Sequence, residues 1–210
     1  MSTSQNPVTG RMRKKFGTAI FSTSGGKNIV RAKPLHPKDP KTEKQLVHRQ
    51  KFRLLAHFYE HYAKIIDTGY LVLKKDMTVF NLFLQANFKL VFDKDSKEPV
   101  IDYSRLLVSK GVIPRVKVIE SGVGAEGITI RYETSVGLPK VSAGDELTAF
   151  ARLKNGDFLI TRQSRGSDET GILVLKYTDQ KVEDVEFCYL FARSADGKMS
   201  SNSTYVALEL

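Results

Sequence analysis

The apolar positions change period along the chain. Between residues 42 and 69, Leu46, Val47, Leu54, Leu55, Phe58, Tyr59, Tyr62, Ile65 and Ile66 recur at helical spacing, which predicts one amphipathic helix ending near Gly69. Thr42-Glu43-Lys44-Gln45 opens it with capping-box spacing, a hydroxyl and an amide placed to satisfy the first N–H groups. A second helix is expected from about Thr78 to Phe92, with Phe80, Phe83, Leu84, Phe88, Val91 and Phe92 on one broad face. Both faces are aromatic-rich and should pack on each other or on a sheet.

From about residue 113 the period becomes two. Strands are expected near 114–120, 128–134, 146–153, 158–163, 171–177, 186–193 and 203–209. Asn155-Gly156, Ser164 to Asp168 and Asp196-Gly197 supply turn chemistry between them. Thr129-Ile130-Arg131-Tyr132 alternates cleanly, whereas Phe187-Cys188-Tyr189-Leu190-Phe191 is apolar throughout and reads as a central strand. Seven short strands over about a hundred residues suit an immunoglobulin-like β-sandwich.

Ahead of the first helix the pattern is different again. Thr18-Ala19-Ile20-Phe21 and Asn28-Ile29-Val30-Arg31 flank Ser24-Gly25-Gly26, which predicts a β-hairpin with a Gly-Gly turn. Pro34, Pro37 and Pro40 then favour an extended connector. Two isolated strands are marginal in water, so this hairpin should pack on the body or on a partner. The expected architecture is α+β: a basic extended arm with hairpin (1–41), a helical segment (42–110) and a seven-stranded immunoglobulin-like sandwich (111–210).

Charge singles out the leader. Residues 1–54 hold thirteen Lys and Arg against Asp39 and Glu43, a net of +11, while residues 55–210 hold 20 against 21. Such asymmetry reads as a near-neutral body joined to a segment that seeks a negatively charged partner. Arg11, Arg13, Lys14, Lys15, Lys27, Arg31, Lys33 and Arg49 are the candidate contacts to a polyanion or to a partner protein. Because the charge runs through a hairpin, a proline-spaced connector and a capped helix, the pattern suits docking at a defined surface.

The remaining composition narrows the function classes. No run of eighteen apolar residues predicts a membrane span, and Phe16 to Phe21 is too short and interrupted for a signal peptide. One cysteine, Cys188, excludes an internal disulfide framework. A cytoplasmic or virion location is the expectation.

Four short motifs resemble catalytic or nucleotide-binding sites, and each has a stronger plain reading. His57-Phe58-Tyr59-Glu60-His61 matches the H-x-x-E-H spacing of inverted zinc peptidases. Its histidines fall on the solvated flank beside the buried Phe58, Tyr59 and Tyr62 stripe, with no evident third ligand. Gly122 to Gly127 spells G-x-G-x-x-G, yet a strand follows where the dinucleotide fingerprint needs a helix N-terminus. Gly25-Gly26-Lys27 lacks both the first glycine and the Ser or Thr of a P-loop. Cys188, mid-strand between aromatics, reads as a buried structural thiol. No catalytic residue, metal ligand or cofactor is expected, and a zinc hydrolase built on His57 and His61 is the distant alternative.

Several short signatures together resemble a known family. Gly26-Lys27, Arg31-x-x-Pro34 and Pro40-x-Thr42-x-x-Gln45-x-x-x-Arg49-x-x-Phe52 come first. Ile101-Asp102-Tyr103-Ser104, Ser109-x-Gly111 and Pro114 follow, then Ser194-Ala195-Asp196-Gly197-Lys198 and Ser201-Asn202-Ser203-x-Tyr205. The set is similar to an uncharacterised domain family of Bacteroidota and their phages. The resemblance implies a basic hairpin, a helical segment and a sandwich, and brings no known activity. The expected function is therefore that of a non-enzymatic structural or assembly protein, such as a phage virion component. Its arm would dock on a partner subunit, a second copy or nucleic acid, and the runner-up is a stand-alone cytoplasmic nucleic-acid-binding protein.

Overall fold

Short alternating runs separated by glycine become neighbouring strands in the first part of the chain, and a third strand joins them. The structure, a computed structural model, describes residues 14–24, 27–34, 39–71, 77–93, 98–124, 126–177 and 185–208. The chain divides into two units, Met1–Thr42 and Glu43–Leu210. In the first, β1 (Lys14–Phe16), β2 (Ala19–Ser24) and β3 (Lys27–Ala32) form an antiparallel sheet in that order. Gly17 supplies the positive φ (+56°) that turns β1 into β2. Ser24 pairs with Lys27 across the next turn; the expected Gly25-Gly26 turn itself lies outside the described residues. β1 was not expected, because Lys14-Lys15-Phe16 carries too little apolar alternation to register as a strand.

The second unit opens with α1 (Glu43–Gly69), which buries Leu55, Phe58, Tyr62, Ile65 and Ile66 and kinks at Tyr62. α2 (Val79–Asn87) follows, capped by the Thr78 hydroxyl, which accepts from Asn81 N–H. This helix stops five residues short of the expected Phe92. The fully buried Asn87 amide donates to the Phe83 and Leu107 carbonyls, both at 3.0 Å, and accepts from Leu107 N–H at 2.8 Å. A short polar side chain committed to a neighbouring segment competes with helix continuation. Val91 and Phe92 stay in the core all the same.

Antiparallel sheets complete this unit. One runs β4 (Lys117–Gly124), β5 (Gly127–Glu133), β8 (Thr170–Lys176); the other runs β10 (Thr204–Tyr205), β9 (Val185–Arg193), β6 (Glu146–Leu153), β7 (Phe158–Ser164). β6 and β9 are buried on both sides, which is why 187–191 carries no polar alternation. Phe150, Phe187, Tyr189 and Phe191 pack with the helices. Leu147, Ala149, Ala151, Cys188, Leu190 and Ala192 pack with Ile128, Ile130, Leu173 and Leu175 of the other sheet. The result is three layers: helices, four-stranded sheet, three-stranded sheet.

Side chains stitch the sheet margins. Thr161 Oγ1 donates to the Val174 carbonyl at 3.1 Å and Gln163 Nε2 to the Ile172 carbonyl at 2.9 Å. On the other side Ser121 Oγ donates to the Ala207 carbonyl at 2.6 Å and Thr204 Oγ1 to the Val116 carbonyl at 2.8 Å. Occupied edge carbonyls offer less of a template for pairing with another chain.

Candidate functional site

The basic sheet of the first unit carries four of the eight expected contacts, Lys14, Lys15, Lys27 and Arg31. Directly opposed residues in an antiparallel ladder share a face. Lys15 opposes Ile20 and Ile20 opposes Arg31, so one row crosses all three strands with an exposed cation at each end. Ser22 and Ile29 form the next row on that face, where Arg31 Nη2 donates to Ser22 Oγ at 3.4 Å. The opposite face carries Phe21 against Val30 and Ala19 against Ala32. Register thus separates Lys15 and Arg31 from Phe21 and Val30.

Among its described side chains this sheet has no core of its own. Among the described side chains of 14–42 none is buried, and Val30 is 59% exposed. No acid occurs from residue 11 to 38, against eight Lys and Arg. Lys14 opens β1 and Lys27 opens β3. Lys33 is half-buried, its N–H donating to the Thr18 carbonyl at 2.7 Å. Arg11 and Arg13 lie outside the described residues. Arg49 stands apart from the others, exposed on α1 in the second unit.

Three of the four motifs that resemble catalytic or nucleotide-binding sites fall among the described residues, while Gly25 and Gly26 of the fourth lie outside them. His57 and His61 are exposed, their rings 4.3 Å apart, with His61 Nδ1 2.9 Å from the His57 carbonyl. Among the described residues no group of three or more His, Cys, Asp or Glu comes together to hold a metal. Gly127 begins β5, where a Cβ would lie 2.2 Å from the Leu175 carbonyl. That glycine serves close approach to β8. Burial pushes the Cys188 thiol up to about 12, far from a reactive thiolate.

The late signatures converge on one buried polar junction. Ser109, Ser200, Ser201 and Ser203 are all buried. Ser109 Oγ donates to the Ser201 carbonyl at 2.6 Å and Ser200 Oγ to the Gly69 carbonyl at 2.7 Å. Ser203 Oγ accepts from Val108 N–H at 3.1 Å and Ser201 Oγ from Ala192 N–H at 2.9 Å. Asn202 Oδ1 accepts from Gly111 N–H at 3.1 Å. The end of α1, the segment 106–113 and the last hairpin are tied together here, each hydroxyl serving backbone that would otherwise be buried without a partner.

Against this geometry the chain matches the family model described as a family of unknown function, DUF6266, over residues 11–207. The chain belongs to that family. The DUF6266 match begins at Arg11 and so takes in the basic sheet together with the helices and both larger sheets. No curated protein and no solved structure matches the chain. Sequence reasoning missed two features of this DUF6266 chain: the buried Arg165–Asp145 pair and a polar groove lined by Arg162 and Arg193. Neither has a sequence signal, because both depend on which strand ends the topology brings together.

Proposed function

We propose that this protein is a non-enzymatic structural or assembly protein whose basic N-terminal arm docks on a partner subunit or on nucleic acid. A virion component of a phage is one setting that fits, and cytoplasm or virion the corresponding location. The observation that carries the reading is a cationic three-stranded sheet with no buried residue among its described side chains. A sheet must cover an apolar face to be stable, and Phe21 with Val30 offers that face for docking. The strand order supports an immunoglobulin-like sandwich: the first, second and fifth strands of the body form one sheet, and the third, fourth, sixth and seventh share the other. Such a scaffold presents binding elements and implies no chemistry.

The runner-up, a stand-alone nucleic-acid binder, is favoured by the acid-free run 11–38 and the Lys15–Arg31 row. Phosphate contacts of this kind confer salt-dependent affinity without sequence readout. Deleting residues 1–41 separates the readings. An assembly protein loses its large species or its co-purifying partner; a free binder loses retention of DNA or RNA at low salt. The distant zinc-hydrolase reading has two of the three protein ligands a catalytic zinc needs in His57 and His61. Stoichiometric zinc that disappears in His57→Ala would revive it.

A further inference from the structure

A groove of about 540 Å³ opens at one end of the four-stranded sheet, its lining drawn wholly from the second unit. Its floor is the row Arg193–Glu146–Ser164, directly opposed residues of β9, β6 and β7. Arg162, two residues from Ser164, lies on the same face of the pleat. The turn 194–197 forms the rim. This is the helix-facing side of the sheet, since Phe191 and Phe150 share it, and at this end it holds charge instead of aromatic core.

The arginines of the second unit are unevenly paired. Arg165 is paired with Asp145, Arg152 with Glu186 and Arg131 with Glu120. Arg162 and Arg193, by contrast, have no acidic partner at ion-pair distance among the described residues, although Glu146 opposes Arg193 across the ladder. Arg193 Nε is enclosed and without a hydrogen-bond partner. Asp196, the other acid of the lining, is already occupied: it accepts from Ser194 Oγ at 2.6 Å and Lys198 N–H at 3.1 Å, with Lys198 Nζ at 3.8 Å. That leaves two free guanidinium groups and one free carboxylate facing the same space.

Gly197 keeps the groove in this form. Its φ is +69°, and a Cβ there would sit 2.8 Å from Arg193 Nη2. The positive φ favours glycine, and an added Cβ would displace the guanidinium end beneath it. An enclosed donor without a partner is costly, so a site holding one is stabilised by an acceptor that fills it. Guanidinium groups match carboxylate and phosphate oxygens in bidentate geometry. The volume falls within the range of small-molecule sites, and the polar lining suits a hydrated, charged ligand.

We infer that this groove is a binding site for a small oxyanion-bearing molecule, its carboxylate or phosphate held by Arg193 and Arg162. Glu146 accepts a hydroxyl or ammonium donor of the ligand and opposes binding of a bare anion. The reading is independent of the arm.

The test is an NMR titration of the ¹⁵N-labelled full chain at constant ionic strength, with inorganic phosphate in one arm and succinate in the other. Saturable shifts at Gly144, Glu146 and residues 193–197 are expected in at least one arm, which also tells phosphate from carboxylate. Arg162→Gln should weaken binding severalfold, and so should Gly197→Ala if it folds; Glu146→Gln should strengthen it. The exposed Arg162 keeps the test open should Arg193 or Gly197 variants fail to fold. Shifts that never saturate, shifts confined to residues 14–33, or a Glu146→Gln variant with unchanged or weaker affinity would overturn the inference.

Discussion

Arg165 and Asp145 form an ion pair at 3.6 Å with side-chain exposures of 1% and 2%, where β7 ends and β6 begins. Arg165 Nη1 also donates to the Thr134 carbonyl at 2.8 Å, and Ser142 N–H donates to Asp145 Oδ2 at 3.0 Å. Desolvation lowers the affinity of the guanidinium for its proton, and the Asp145 carboxylate opposes that effect. Removing one partner strands a buried charge, typically costing 3–5 kcal/mol, whereas replacing both with apolar residues is often neutral. Asp145→Ala should therefore lower unfolding free energy by about 3–5 kcal/mol in urea melts. Asp145→Leu combined with Arg165→Met should recover most of that loss, and failure to recover would assign the pair a further role.

The serine junction makes a steric prediction. A Cβ at Gly111 would lie 1.9 Å from the Ser200 carbonyl oxygen, and one at Gly69 would lie 2.6 Å from Ser109 Cβ. Gly111→Ala must move backbone, since neither contact atom belongs to a flexible side-chain end. It should destabilise more than Ser109→Ala, which loses hydrogen bonds worth about 1–3 kcal/mol when a buried group is left unpaired. Thermal melts of the two variants check the order.

Because β9 faces two cores, its two sides should fail together. Phe187→Ala opens the helix-facing cluster and Leu190→Ala the inter-sheet cluster. Losses of about 3–5 and 2–5 kcal/mol are expected. In both variants the helical CD signal and the near-UV tyrosine signal should melt at the same temperature. Separate transitions would show that helices and sheets are not one cooperative unit.

Alkaline pH should weaken the fold. Burial, then the hydrogen bond to Asp67, pushes Tyr59 up to about 12 from 10.0. Burial first, then the charge of Glu186, does the same for Tyr103. Tyr70 and Tyr189 are raised chiefly by burial, and Cys188 rises from 9.0 to about 12. Raised folded values mean the folded state holds these protons after the unfolded chain has released them. Their stabilisation is full below about pH 9 and is lost as pH climbs toward 12. Urea midpoints between pH 8 and 11 should fall, and Tyr70→Phe should flatten the slope.

Much of this was legible from pattern alone. The helix from Glu43 to Gly69 and the strand positions from 117 to 205 follow from period and turn chemistry. The end of α2 was not, because Asn87 is diverted by Leu107, twenty residues on, and periodicity carries no tertiary information. Nor was β1, a strand defined by pairing with Ala19, Ile20 and Phe21 rather than by its own residues. For the site, composition pointed to the cations but could not sort them. Register put Lys15 and Arg31 on one row and left Arg49 on a helix of the other unit. The Arg162–Arg193 groove needs β7, β6 and β9 side by side, which no local signal encodes.

Docking of the basic sheet is the central claim. Sedimentation velocity of the full chain, alone and with double-stranded DNA, at low and high salt, with Lys15→Glu/Arg31→Glu alongside, tests this most directly. The account predicts a larger species at low salt, either self-assembled or DNA-bound, that dissociates with salt and is lost in the charge-reversed variant. A monomer at every salt and protein concentration, with no DNA retained and no difference between the two chains, would contradict it.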